Sequence, residues 1–316
     1  MISFLKLIRL PNLLIIAFTQ CLVRWCLVAP LLKAQSTFYT LQLSNFNFFL
    51  LVLSTVMIAA GGYIINDYFD IKIDKVNKPD RLVIDKGVKR RVAMMAHTVI
   101  SIFAMAIALY VSWSIGHWKL ALIHFICASG LWFYSTTFKR QFIVGNIVIA
   151  AFTAIVPLVV GIFELLPVYH TYLPVEENLS FLIIWKWVLG ISFFAFIITL
   201  LREILKDIED KEGDQEFGCN TMPIVIGIKP SKAVAIIIAF ATMCCLGYLQ
   251  LLQYQLKDWV GLIYFTIAIQ LPFAFLIFKI IKAQTKDQFH FAGNTAKFIM
   301  LTGVCYLIVF NYFLFQ

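Results

Sequence analysis

Charge is scarce in this sequence. Only 14% of its 316 residues are Asp, Glu, Lys or Arg, while 61% are hydrophobic and the mean hydropathy is +0.88. Soluble domains carry about 25% charged residues, so a water-soluble globular protein is excluded. No C-x-x-C pair occurs among the seven cysteines (21, 26, 127, 219, 244, 245, 305), and no H-E-x-x-H among the five histidines. The common zinc and thiol-redox arrangements are therefore absent. Most cysteines lie in apolar runs and are expected to be free, buried thiols. No clear A-x-A cleavage site follows Lys6 and Arg9, so the first apolar run is expected to be a retained helix. No polar linker is long enough to separate two domains, and residues 1–316 read as one integral-membrane domain.

What the sequence does have is long apolar stretches. Nine run at roughly 12–32, 46–66, 92–115, 117–137, 142–163, 180–201, 232–252, 258–281 and 294–315. Each approaches the roughly 20 residues that a bilayer-spanning helix needs. With the N-terminus in the cytoplasm, 21 of the 26 Lys and Arg fall on the cytoplasmic side, leaving Arg24, Lys33, Lys119, Lys186 and Lys257. That bias predicts an inner (cytoplasmic) membrane protein with its N-terminus in and its C-terminus out. It also explains the net charge of +9 without nucleic acid as a partner.

The scarce acidic residues are concentrated. Twelve of 17 lie within 67–85 and 203–216. Asp67, Asp70 and Asp74 repeat 140 residues later as Asp207, Asp210 and Asp214, both with spacings of three and four. This spacing puts three carboxylates on one face of a helix or a helical end. Both triplets follow even-numbered spans on the cytoplasmic side. Gly87 and Gly227, also 140 apart, open the basic runs GVKRR and GIKPSK. The pattern predicts an all-α polytopic fold: two pseudo-repeated four-helix halves plus a ninth helix around a central cavity, with the acidic loops face to face.

Like charges so arranged repel unless cations fill the gap. Mg²⁺ takes carboxylate oxygens and bridges to polyphosphate, so the triplets predict Mg²⁺ and a diphosphate substrate, with Asn66 as a further oxygen ligand or an orienting group. Basic residues then face the substrate's own charge: Arg81 in NKPDR, Lys139 and Arg140 after the fourth span, and Arg202, which also has Glu203 as a neighbour to pair with. Glu203 is a partner to the Asp cluster or a proton acceptor. Glu209, Glu212 and Glu216 fall off the Asp face and are expected to meet solvent. Gln20 and Arg24, inside the first apolar run, are expected to face the cavity and contact an acceptor, or to snorkel.

These motifs resemble the UbiA superfamily of intramembrane prenyltransferases. NDYFDIKID is similar to its N-D-x-x-D-x-x-x-D motif, and KDIEDKEGD to its second Asp motif. YSTTFKR, residues 134–140, is similar to the Tyr/Lys element after the fourth helix. NKPDRL resembles N-x-P-x-R-P, with Leu82 where proline is usual. The resemblance implies nine helices, cytosolic Asp loops and substrate contacts at Tyr134, Lys139 and Arg81. Residues 202–214 and the opening LIRLPN, which ends at Asn12, a further implied substrate contact, are similar to the superfamily's digeranylgeranylglyceryl phosphate synthase branch. That branch implies Mg-dependent transfer of a prenyl group, geranylgeranyl, to a hydrophobic acceptor such as geranylgeranylglyceryl phosphate. Membrane lipids surround the protein, and no sequence feature calls for an obligate protein partner. The alternatives are an aromatic acceptor (4-hydroxybenzoate or dihydroxynaphthoate) and, more remotely, a cation transporter, whose carboxylates belong near mid-membrane. A CDP-alcohol phosphotransferase is disfavoured because D-G-x-x-A-R is missing.

Overall fold

A computed structural model describes residues 2–173 and 180–314, the side chain of Arg81 excepted. The described residues are helical apart from short connections. In chain order the helices are α1 (Ile2–Leu7), α2 (Leu10–Gln35), α3 (Asn45–Asn77), α4 (Arg90–Ser114), α5 (Ala121–Thr136), α6 (Val144–Tyr172), α7 (Leu182–Glu209), α8 (Lys211–Glu216), α9 (Met222–Val225), α10 (Ile228–Gln255), α11 (Trp259–Lys282) and α12 (Lys286–Leu314). Eight of them are long and apolar enough to cross a membrane. The fourth expected span is shorter: α5 has 16 residues after a 3₁₀ turn at Trp118–Leu120. The internal repeat is visible in the element order. Helices opening at Asn45, Arg90, Ala121 and Val144 have counterparts opening at Leu182, Ile228, Trp259 and Lys286, 137 to 142 residues later.

The chain divides into two compact units, Met1–Phe138 with Ile155–Leu189, and Lys139–Ala154 with Gly190–Gln316. In the first, α3 is the central element. Ser44 caps it, its hydroxyl accepting from the Asn47 N–H at 3.1 Å, which satisfies one of the helix's free donors. A Cβ on Gly62 would come within 2.7 Å of Leu131, and one on Gly61 within 3.0 Å of the Ser101 hydroxyl. The two glycines let α3 approach α4 and α5 closely, the packing that works in lipid, where hydrophobicity does not drive helices together. Ser54 donates to the Ala104 carbonyl at 3.0 Å across the α3–α4 contact, beside fully buried Ala104 and Ala108. At 33 residues α3 is roughly 50 Å long. That exceeds the roughly 30 Å hydrocarbon core, so its C-terminal turns have length to spare beyond the apolar run.

In the second unit, α12 packs on α11, and Phe289, Ala292, Ala296 and Ile299 of α12 are buried. A Cβ on Gly303 would come within 2.3 Å of the Phe194 ring, again a close approach made possible by a missing side chain. Two spans contain a wide π turn, Val23–Val28 in α2 and Phe265–Gln270 in α11, each with a proline shortly after (Pro30, Pro272). The cysteines differ from expectation. Cys219 is buried, four others are half-buried, and Cys244 and Cys245 are exposed on α10. Their apolar runs present one face outward, where lipid takes the place of protein packing.

Candidate active site

The first acidic triplet sits on the last turns of α3. Asn66 and Asp70 are buried, 8% and 4% exposed, and the Asn66 amide donates to the Asp70 carboxylate at 2.8 Å. One turn apart on one helix face, the two side chains meet by helical geometry alone. The amide's other atom, Asn66 Oδ1, is buried with no hydrogen-bond partner, an acceptor with capacity to spare beside the Asp70 contact. Asp67, one residue on, is half-buried. Asp74 follows on the next turn, its carbonyl accepting from Lys78 N at 2.8 Å as the helix ends. Lys72 and Lys75 lie exposed off this face.

Sequence reasoning gave Arg9 only a role in orienting the chain. The structure places its guanidinium 2.7 Å from the Asp67 carboxylate and 4.9 Å from the centre of the Tyr63 ring. Burial alone would lower the Arg9 pKa, but Asp67, with help from Tyr63 and Asp70, outweighs it and drives the pKa above the usual arginine value. Arg9 also has left-handed backbone, φ 52° and ψ 53°, just before α2. That conformation costs a non-glycine residue roughly 1–2 kcal/mol, and it turns the arginine onto α3. The available signal was the LIRLPN stretch itself. Asn12, in the first turn of α2, is half-buried, and its N–H donates to the Arg9 carbonyl at 2.8 Å. Tyr134 is buried near the end of α5. The Arg81 side chain lies outside the described residues; its backbone closes a 3₁₀ turn, Pro79–Arg81.

The second triplet straddles a break. Asp207 is in the last turn of α7, Asp210 stands between α7 and α8, and Asp214 lies buried within α8. The chain thus turns at Asp210 (φ −95°, ψ 7°) instead of presenting all three on one continuous helix. Asn146, which sequence reasoning missed, donates to the Asp207 carboxylate at 2.8 Å from 61 residues away. Gly218, in the left-handed region at φ 70°, lets the chain fold back so that Cys219 N donates to the Asp214 carbonyl at 2.9 Å. The expected Arg202–Glu203 pair forms at 2.6 Å, and Lys206 approaches the other Glu203 oxygen at 3.5 Å. Glu203 is buried, so it takes part in a charge cluster one turn before Asp207. Lys139 is half-buried in a 3₁₀ turn, and Arg140 is exposed, its carbonyl accepting from Asn220 N at 2.8 Å.

Two expectations are corrected. Glu209 does not simply meet solvent: its side chain is 9% exposed and lies 3.2 Å from His290 Nδ1 of α12. Glu212 and Glu216 are exposed as expected. Arg24 and Gln20 do not face a cavity. Arg24 is 1% exposed, with Nε 2.8 Å from Glu164, its guanidinium 4.3 Å from the Phe48 ring and a bond to the Leu43 carbonyl. Gln20 is fully buried and donates to Thr55 and the Val156 carbonyl, both at 3.2 Å. A charge within an apolar run is too costly to leave facing lipid, and Glu164 is its partner.

Among the described residues no three His, Cys, Asp or Glu side chains cluster tightly enough to hold a metal unaided. This suits Mg²⁺, which keeps several waters and takes one or two carboxylates plus substrate phosphate. The all-oxygen donor set and the orphaned Asn66 Oδ1 fit that ion.

Comparisons with known proteins show what the whole chain is similar to. Residues 22–312 match the UbiA prenyltransferase family. A digeranylgeranylglyceryl phosphate synthase of Thermococcus kodakarensis is 30% identical over 79% of this chain and 80% of its own. A solved structure of a digeranylgeranylglyceryl phosphate synthase is similar with a TM-score of 0.63 and 24% identity, covering 98% of this chain and 97% of that one. A UbiA homolog from Archaeoglobus fulgidus, bound to DMAPP and Mg²⁺, has the same all-helical fold, with a TM-score of 0.55, 14% identity and coverage of 97% and 99%.

Proposed function

Since the chain belongs to the UbiA prenyltransferase family, we propose that it transfers a geranylgeranyl group from its diphosphate to the free hydroxyl of geranylgeranylglyceryl phosphate. It is a prenyltransferase and an integral membrane protein with multiple spans. The observation that carries the reading is the pair of carboxylate-bearing helix ends: Asp70 on α3 and Asp214 beyond α7 are both buried in a chain with little charge to place there. The name of the Thermococcus relative and the sequence of residues 202–214 support the choice of acceptor.

Asn66, Asp67, Asp70 and Asp74, and Asp207, Asp210 and Asp214, are the residues that would hold Mg²⁺. The chemistry that Mg²⁺ supplies when bound is neutralisation of charge developing on the departing diphosphate. Arg81, Lys139 and Arg202 are the residues assigned to the diphosphate's negative charge, and Arg9 and Asn146 hold Asp67 and Asp207 in place. Tyr134 and Asn12 contact substrate, and Glu203 fixes Arg202 and Lys206. The apolar spans take the isoprenoid tail and keep water from the reacting carbon. There the C1–O bond to diphosphate breaks, the acceptor oxygen bonds C1, pyrophosphate leaves and the hydroxyl proton passes to solvent. The family match runs through both compact units, which supports one domain over 1–316. The Lys and Arg bias supports N-in, C-out insertion in the cytoplasmic membrane with the Asp ends facing the cytoplasm.

The test is product analysis of purified protein with labelled geranylgeranyl diphosphate, Mg²⁺ and a panel of geranylgeranylglyceryl phosphate, 4-hydroxybenzoate and dihydroxynaphthoate. An ether-lipid product that disappears with EDTA is expected. A prenylated aromatic ring moves the enzyme to quinone synthesis, and no product overturns the assignment. In the same assay, Arg9→Gln is expected to lower kcat/KM roughly tenfold, by about 1.4 kcal/mol, with partial recovery in Arg9→Lys. A value within about twofold of wild type would return Arg9 to membrane anchoring alone.

A further inference from the structure

The second unit carries a groove that the proposed reaction does not use. It lies between α11 and α12, about 540 Å³ in volume, open along one side, and walled by Ile267, Leu271 and Phe275 on one helix and Phe291, Thr295 and Phe298 on the other. The π turn at Phe265–Gln270 and then Pro272 interrupt the regular helix along its α11 wall. From Ile267 to Lys279 the groove and its mouth span twelve residues of α11, roughly 18 Å. One leaflet of hydrocarbon is about 15 Å deep, so a single lipid chain fits this length.

The mouth is charged. Lys279 Nζ sits 5.1 Å from the centre of the Phe275 ring and 5.3 Å from that of Phe291, the two rings that close this end of the groove. A cation between two aromatic faces is held by their quadrupoles. Among the described residues Lys279 has no carboxylate partner, so its charge is uncompensated. Lys282, one turn on, sits 4.3 Å from the Phe278 ring and adds to the positive end. The groove wall also has a hydrogen-bonded link to the helix that carries Asp207. Asn294, which lines the groove, lies 3.1 Å from His290 Nε2, and His290 Nδ1 lies 3.2 Å from Glu209.

We propose that this groove binds one anionic phospholipid of the surrounding bilayer, with a hydrocarbon chain between α11 and α12 and the phosphate on Lys279. The charge complementarity selects the headgroup. A zwitterionic lipid brings its own cation beside the phosphate and gains less from a lysine, whereas a net-negative headgroup supplies the missing partner.

The test is native mass spectrometry of the whole chain in detergent with equimolar phosphatidylglycerol and phosphatidylcholine. One phosphatidylglycerol is expected to be retained, with about a tenfold preference. Lys279→Gln should bring the preference to parity, and Lys279→Arg should keep it. Thr295→Trp, which fills the groove and leaves Lys279 in place, should also abolish retention. A photoactivatable phosphatidylglycerol should crosslink to residues 267–279 or 291–298. Equal retention of the two lipids, an unchanged preference in Lys279→Gln, crosslinks confined to other helices, or a dimer that shields the groove would each overturn the proposal. None of these readouts depends on prenyl transfer, so the site stands or falls separately from the enzymatic reading.

Discussion

Asp67→Asn and Asp207→Asn are each expected to reduce turnover by at least about 10²–10³-fold, the cost of losing one preorganised electrostatic contact to a transition state. Asparagine keeps the shape and the helix but removes the charge. Each Asp is already held by a partner, Asp67 by Arg9 at 2.7 Å and Asp207 by Asn146 at 2.8 Å, so neither side chain is free to be replaced by a neighbour. Glu212→Gln and Glu216→Gln remove nearby charges that are exposed, and turnover within about twofold of wild type is expected for both. Steady-state kinetics across a range of Mg²⁺ concentrations, with thermal unfolding as a check on folding, separates the two sets. Near-normal turnover in both Asp variants would sink the assignment of the triplets to catalysis.

The second large effect concerns stability. Removing one member of the Arg24–Glu164 pair leaves the other buried without a counter-charge, and such losses cost about 3–5 kcal/mol. Glu164→Leu is therefore expected to lower the unfolding temperature in detergent sharply or to abolish folded yield. Arg24→Met combined with Glu164→Leu replaces both charges with apolar groups of similar size, and it is expected to recover most of the loss. A double-mutant cycle measures the coupling. If Glu164→Leu alone costs less than about 0.5 kcal/mol, the pair is not holding this part of the first unit together. Arg24 would retain its contact with Phe48 at 4.3 Å, which by itself is worth only about 1–2 kcal/mol.

The membrane class, the helical spans and both Asp triplets were legible in the sequence because each rests on composition or on spacing within a few residues. Twenty apolar residues need a bilayer whatever their neighbours are, and the first triplet's carboxylates, three and four apart, share a helix face wherever that helix packs. Helix continuity was less legible. The turn at Asp210 and the 16-residue α5 depend on local hydrogen bonds and packing, which periodicity does not encode.

Only the tertiary structure decided which distant residues meet. Arg24 and Glu164 are 140 positions apart, Arg9 and Asp67 58 apart, and Glu209 and His290 81 apart. A lone arginine in an apolar run calls for a counter-charge, but the sequence does not say which residue supplies it. Helical periodicity fixes the direction of a side chain about its own axis; the register and rotation of one helix against another follow from close packing at positions such as Gly61, Gly62 and Gly303. Packing between helices turned Arg24 from a residue expected to contact an acceptor or to snorkel into a buried ion pair, Arg9 from a membrane anchor into the partner of Asp67, and Glu209 from a solvated charge into a link to α12.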